Sequence, residues 1–381
     1  MLIDILGIYF HVFELPLLCL LGIGAFFQLY KGRTIIKTSD KKNMQILFWG
    51  LILYVFAIGL SIIGAIDHFL VIKSVIKWLE VYLIVTLVVI YVSNFARFKY
   101  IYWTLFVSAF ISLLVVLFRI ISGEGVLFSA RTFPGYESVV AFSLVLPFVG
   151  WRNGKFAGTL LSICIVGVIF SLTRSAYLAL LSCILYSFYL HKKFKTLLIR
   201  VGFILLIVFS IPYSREIISG VWQFFSSNKT GSNTERIVLA QLAIKAFISS
   251  PLTGVGSLNF PLFSFGQGVP KGIISKNIDT LGPHNAFLQV AAEEGLLGLI
   301  FFCLVLFASI KLLKNVDRLS KVKSKYICGL HYLFIVMFLN LLFGFITSSF
   351  RFYFAIILGL IAAATRVFQK PNSVEFLDFE K

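Results

Sequence analysis

The stretch FAGTLLSICIVGVIFSLTRSAYLALLSCILYSFYL, residues 156–190, decides what kind of protein this is. It runs for 35 residues without a Gly-Pro turn. As one helix it would be about 52 Å long, far more than the roughly 30 Å of hydrocarbon in a bilayer. It has to fold back on itself. The only polar cluster inside it is Ser171-Leu172-Thr173-Arg174-Ser175, so the sequence predicts a helical hairpin with Arg174 at its tip, at the outer interface.

The rest of the chain has the same character. Of its 381 residues 59% are hydrophobic and only 13% charged, with a mean hydropathy of +0.96; soluble domains carry about twice that charge. The apolar runs are continuous, so the alternating pattern of a membrane β-barrel is excluded. Runs bounded by charge or turn residues fall near 12–30, 45–66, 76–93, 100–121, 137–151, 156–173, 175–190, 197–213, 285–309, 326–347 and 351–367. The expected fold is an all-α polytopic membrane protein of about 11–12 transmembrane helices, a single integral domain over residues 1–381. The start of the chain lacks a basic n-region and a cleavage site, so the first run is expected to be a retained span.

The net charge of +18 would point to nucleic acid in a soluble protein. Here it is topological. Five basic clusters, beginning at Lys31, Arg97, Arg152, Lys192 and Lys311, fall in alternate short loops and so on one side. By the positive-inside rule that side is the cytoplasm, with the N-terminus outside and the C-terminal tail inside. The five cysteines lie in or beside apolar runs with no paired spacing, which indicates neither a disulfide framework nor a zinc site.

One long connection remains, residues 214–283, on the outer side. Within it Ser232-Asn233-Thr234-Glu235 has capping-box spacing, and a helical pattern follows it. Arg236 would share a face with Leu239, Ala240, Ala243 and Phe247, while Gln241, Lys245 and Ser249 look outward. An arginine on an apolar face, at the positive end of a helix dipole, wants a partner. A bound anion satisfies both demands; pairing with Glu235 or snorkelling to water is the alternative. The turn cluster 251–256 should end that helix. Pro283 suits the first position of the next span, placing His284 in its first turn, where the exposed amides would keep the imidazole neutral and attract phosphate. A neutral histidine beside an anion site suits a general base; the alternative is an interfacial histidine held by a backbone carbonyl. Glu293 and Glu294 follow in the same helix. Glu294 lies on the order of 15 Å from His284 and is expected to pair with another helix. Glu14, Asp67, Glu80, Arg119 and Arg131 stand near span ends and either line a cavity or anchor the interface.

Motifs for nucleotide, zinc and α/β-hydrolase chemistry are absent from the sequence. Three segments instead resemble the O-antigen ligase and polymerase superfamily of bacterial membrane glycosyltransferases: SLTRSAYLAL (171–180), TERIVLAQLAIKAFISSPLTGVG (234–256) and PHNAFLQVAAEEGLLGL (283–299). The resemblance covers residues 130–310. It implies transfer of a glycan from undecaprenyl diphosphate to an acceptor hydroxyl at the periplasmic face of the inner membrane, with no metal or other cofactor. The acceptor would be lipid A core oligosaccharide in a ligase, a second lipid-linked repeat in a polymerase, or a protein. It further implies that Arg174 and Arg236 bind the diphosphate, that His284 activates the acceptor, and that Asn285 orients the histidine or caps the helix.

The family is usually described with twelve spans and both ends in the cytoplasm, a departure from the eleven read here. A single long outer loop favours ligase over polymerase. A transporter or flippase would call for ionisable residues at mid-membrane and helices broken near the bilayer centre, whereas these candidates are expected at one face.

Overall fold

A computed structural model describes residues 2–5, 8–11, 41–121, 135–148, 154–170, 174–190, 232–267, 282–319, 325–344 and 346–368. A short antiparallel hairpin, β1 (Leu2–Ile5) and β2 (Ile8–His11), pairs Leu2 with His11 and Ile5 with Ile8. Everything else with regular structure is helical: α1 (Lys41–Leu60), α2 (His68–Tyr91), α3 (Phe95–Ile121), α4 (Gly135–Val145), α5 (Gly154–Phe170), α6 (Arg174–Leu190), α7 (Ser232–Ser249), α8 (Phe260–Gly266), α9 (Ala286–Leu319), α10 (Lys325–Phe343) and α11 (Ser348–Val367), with 3-10 turns at Ser61–Gly64 and Leu146–Phe148. Among the described residues six helices are long and apolar enough to cross a membrane. The protein is a helical, multi-pass membrane protein, as its composition requires.

Nine of the eleven expected spans coincide with helices; those at 12–30 and 197–213 lie outside the described residues. The helical hairpin forms where residues 156–190 must fold back, as α5 and α6, each of 17 residues. Boundaries shift where capping chemistry overrides hydropathy. The second helix starts at His68 rather than near 76 because Asp67 caps it, its carboxylate accepting from the Phe69 amide at 2.8 Å. Helix α3 carries Arg97 and Lys99 within it rather than in a loop, with Arg97 stacked over the Tyr91 ring and donating to the Tyr91 carbonyl. Likewise α9 runs on to Leu319 and takes Lys311, Lys314 and Arg318 onto its end. The segment at 137–151 is shorter than a span, because Pro147 closes it in a 3-10 turn.

The described residues divide into two compact units, one drawn from 1–98, 235–322 and 345–381, the other from 99–234 and 323–344. In the first, α9 packs along α1, and α2 along α11. A buried aromatic cluster joins all four helices: Tyr54 and Trp78 meet edge-on with centroids 4.7 Å apart, and Phe302 stacks near Phe354 at 6.2 Å. In the second, α10 packs on α6 and α4. There the Tyr102 hydroxyl donates to the Leu144 carbonyl at 2.8 Å, and its ring lies against Gly329, where any Cβ would collide.

Candidate active site around a broken helix

The site in the first unit is assembled from α7, the turn after it, α8 and the start of α9. Helix α7 follows its sequence pattern: Leu239, Ala243 and Ala246 are buried, Gln241, Lys245 and Ser249 exposed, and Arg236 half-buried on the inner flank. Its buried side packs with Val255, Phe260 and Ala292 in one apolar cluster. Phe263, Phe265 and Leu288 cover the rim.

Helix α9 is broken at Gly295, whose backbone (φ 67°, ψ −161°) is not helical. The chain from Pro251 to Gly256 sits in the break and exchanges backbone hydrogen bonds with both halves. Above it, the Val255 and Gly256 amides donate to the Ala292 and Glu293 carbonyls at 2.9 and 3.0 Å. Below it, the Leu296 and Leu297 amides donate to the Pro251 and Leu252 carbonyls at 2.8 and 3.4 Å. Backbone groups orphaned by the break are thus paired within the chain, as burial in an apolar setting demands. The approach is close enough that a Cβ at Gly254 would strike the Glu293 backbone, and one at Gly295 the Leu252 backbone. Both glycines also have positive φ.

Beneath the inserted turn lie Glu293 and Glu294, each 3% exposed. Glu294 accepts from the Ser257 hydroxyl at 2.7 Å and from the Tyr54 hydroxyl at 3.4 Å. Glu293 accepts from the Phe260 amide at 3.4 Å and from the Gln289 side chain at 3.3 Å. Ser257 also shares a hydrogen bond with Ser74 on α2, and its amide donates to Ser61. Tyr54, Ser74, Ser257, Gln289, both glutamates and Arg351 line one small cavity. Asn259 fastens the same turn to the start of α2, donating to the Asp67 carbonyl and accepting from the Asp67 amide at 2.6 Å. The expected pairing of Glu294 with another helix is therefore present, through Tyr54 of α1. The run read at 285–309 is not one continuous helix: α9 is broken beside two buried carboxylates. The long insertion needed to fill the break comes from some forty residues earlier in the chain, which no local pattern reveals.

His284 is not in the first turn of α9, as the sequence reading placed it. Asn285 takes the N-cap, its side-chain oxygen accepting from the Leu288 amide at 2.9 Å and its carbonyl accepting from the Gln289 amide. The helix begins at Ala286, leaving His284 just outside with a left-handed backbone (φ 52°) that non-glycine residues seldom adopt. With the helix end already capped, the cause of the imidazole's reluctance to take a proton also changes. Burial and the positive charge of the nearby Arg236 guanidinium lower it to about 4. Arg236 and His284, 48 positions apart, are thus brought into electrostatic contact.

Arg174 is the first residue of α6, in the second unit; its side chain lies outside the described atoms. Of the span-end charges, Asp67 caps α2 and Glu80 faces Lys77 at 3.9 Å. Glu14 and Arg131, and the side chain of Arg119, lie outside the described residues. The sequence reading gave no part to Ser257, Asn259, Gln289, Tyr54 or Arg351. Gln289 could have been found, since it stands one helical turn before Glu293; Tyr54 and Arg351 could not.

Residues 159–303 match the family model described as O-Antigen ligase. Over these residues the chain is similar to the O-antigen ligase family. The matched stretch runs from α5 to the first turns of α9 beyond the break, and it contains Arg174, Arg236, His284, Asn285 and Glu294. The whole chain finds no match among curated proteins. The function that follows is of the O-antigen ligase or polymerase type, acting on lipid-linked glycans.

Proposed function

We propose that the protein transfers a glycan from undecaprenyl diphosphate to lipid A core oligosaccharide at the periplasmic face of the bacterial inner membrane. The observation that carries this reading is a half-exposed His284 held neutral by burial and by the nearby charge of Arg236, both within the matched stretch. Arg236 holds the diphosphate through charge-assisted hydrogen bonds and neutralises the charge that builds on it as it leaves; the diphosphate-binding role of Arg174 is carried by the sequence resemblance alone. The acceptor hydroxyl attacks the anomeric carbon, the bond from that carbon to the diphosphate oxygen breaks, and the hydroxyl proton passes to His284. Without a protein nucleophile the anomeric centre inverts. An imidazole at about 4 is by itself a weak base. The diphosphate's negative charge beside it raises its proton affinity once donor is bound, which ties activation of the acceptor to occupancy by the donor. No step calls for a metal ion.

Polymerisation of lipid-linked repeats uses the same chemistry with a different acceptor, and so does transfer to a protein. A transporter or flippase gains one observation, the broken α9 beside buried carboxylates. Against it, the break is filled by the chain's own residues 251–256.

The test compares lipopolysaccharide and the undecaprenyl-linked pool in the native strain, a deletion and a His284→Ala strain. Core lacking O-units, with long glycan accumulating on the carrier, supports a ligase. Core capped by one repeat indicates a polymerase. An unchanged ladder in both mutants removes both, and passage of labelled lipid-linked glycan across proteoliposomes, insensitive to His284→Ala, establishes transport.

A further inference from the structure

We propose that the turn seated in the break of α9 is a positioning clamp that sets the separation of Arg236 and His284, with Ser257 and Glu294 as the pair that holds it closed. The inference rests on the proposed function for its chemistry, though not for its geometry.

Both site residues hang from this one point. Arg236 lies thirteen residues before the end of α7 at Ser249, and the inserted turn begins two residues later at Pro251. His284 precedes the nine-residue upper half of α9, which ends at Glu294 where the same turn is bonded. At 1.5 Å per residue the arms are about 20 Å and about 13 Å long. A tilt of about 5° at the clamp would move the far end of the longer arm by roughly 1.7 Å, and misplacements near 1 Å can cost about a hundredfold in rate.

The clamp is built to resist that tilt. Four backbone hydrogen bonds tie the turn to both halves of α9. Glycine at 254 and 295 allows two backbones to touch where side chains could not fit. Two carboxylates are then buried under the turn, an expensive choice inside a membrane helix. Each receives at least two hydrogen-bond donors, from the turn, from α1, from α8 and from α9 itself. Asn259 and Ser257 tie the turn to α2, and Gln289 accepts from the Ile346 amide just ahead of α11. The clamp therefore references the arms to the packed helices of the unit. Ser257 and Glu294 are positioning residues that act through Arg236 and His284.

The experiment uses the full chain in nanodiscs, with its five cysteines replaced by alanine and spin labels at Gln241→Cys on α7 and Ile300→Cys on α9, both exposed. The native distance distribution is expected to be narrow, and to broaden in Ser257→Ala and Glu294→Ala. Glu294→Gln, which keeps partners for both hydroxyls, should stay near native. In glycan transfer, the two alanine variants should lose ten- to a hundredfold in kcat with the donor KM within about threefold, and Glu294→Gln should recover most of the rate. Narrow distances in Glu294→Ala, or broad distances with unchanged kcat, overturn the clamp. The distances need no donor, so the clamp stands or falls separately from the function, which normal transfer by His284→Ala would remove.

Discussion

Replacing Gly254 by alanine tests whether the turn really fills the break. The residue sits at φ 71°, a conformation that costs an alanine roughly 1–2 kcal/mol. Its new Cβ would also meet the carbonyl carbon and oxygen of Glu293, helix backbone that cannot swing aside as a side chain could. The turn has to lift, and the hydrogen bonds from Val255 to Ala292 and from Gly256 to Glu293 go with it, at about 1 kcal/mol each. The expected loss is roughly 3–4 kcal/mol. Gly59→Ala is the matched control: it lies in α1 with open space around it, where alanine should be neutral or stabilise by about 0.5–1 kcal/mol. Thermal unfolding in nanodiscs, followed by intrinsic fluorescence and by the fraction of monodisperse protein, compares the two. A Gly254→Ala midpoint equal to that of Gly59→Ala would mean that the turn does not fill the break.

Three further outcomes are expected. The His284 imidazole, lowered to about 4 by burial and by Arg236, should titrate upward in Arg236→Gln yet stay below its ordinary value near 6.5, since burial remains; NMR of labelled histidine, assigned by its loss in His284→Gln, reads the midpoint. Because this folded-state value is depressed, the unfolded chain takes the proton first, so His284 makes stability fall as pH drops from about 6.5 to about 4 and has no effect above that window; His284→Gln should flatten that part of a stability-pH profile. Asn285→Ala should cost about 1 kcal/mol by removing the N-cap of α9, and Asn285→Asp should restore it, both seen in thermal unfolding. Arg366→Ala should cost about 2 kcal/mol, because one terminal nitrogen of its guanidinium, Nη2, donates to both the Val89 and Val92 carbonyls at the end of α2 at 2.9 and 2.8 Å, while Arg366→Lys should recover most of it, as a single ammonium carries donors enough for both.

Much of the architecture was legible because hydropathy and helix signals are local. The run at 156–190 had to fold into a hairpin on length alone, and the periodicity of 236–249 placed Leu239 and Ala243 inward and Lys245 outward, as found. The start of α9 was misread by three residues because Pro283-His284-Asn285 offers two competing signals, proline at the first helical position or asparagine at the cap, and the cap prevails. That choice moved His284 out of the helix. The break at Gly295 was illegible for a different reason. A glycine within a helical pattern is ordinarily tolerated, and only the docking of Pro251–Gly256 against it turns the two glycine-bearing motifs into one structural feature. The polar contacts beneath it join residues as far apart as Tyr54 and Glu294, a separation of 240 positions over which no periodicity speaks.

Under the proposed function Arg236 and His284 form one site for glycan transfer from a lipid diphosphate. The most direct measurement is transfer in proteoliposomes by the purified full chain, supplied with undecaprenyl-diphosphate-linked glycan and lipid A core acceptor, alongside donor binding. Transfer should be abolished in His284→Ala with donor binding retained, and both should weaken in Arg236→Ala. Normal transfer by folded His284→Ala protein would contradict the account.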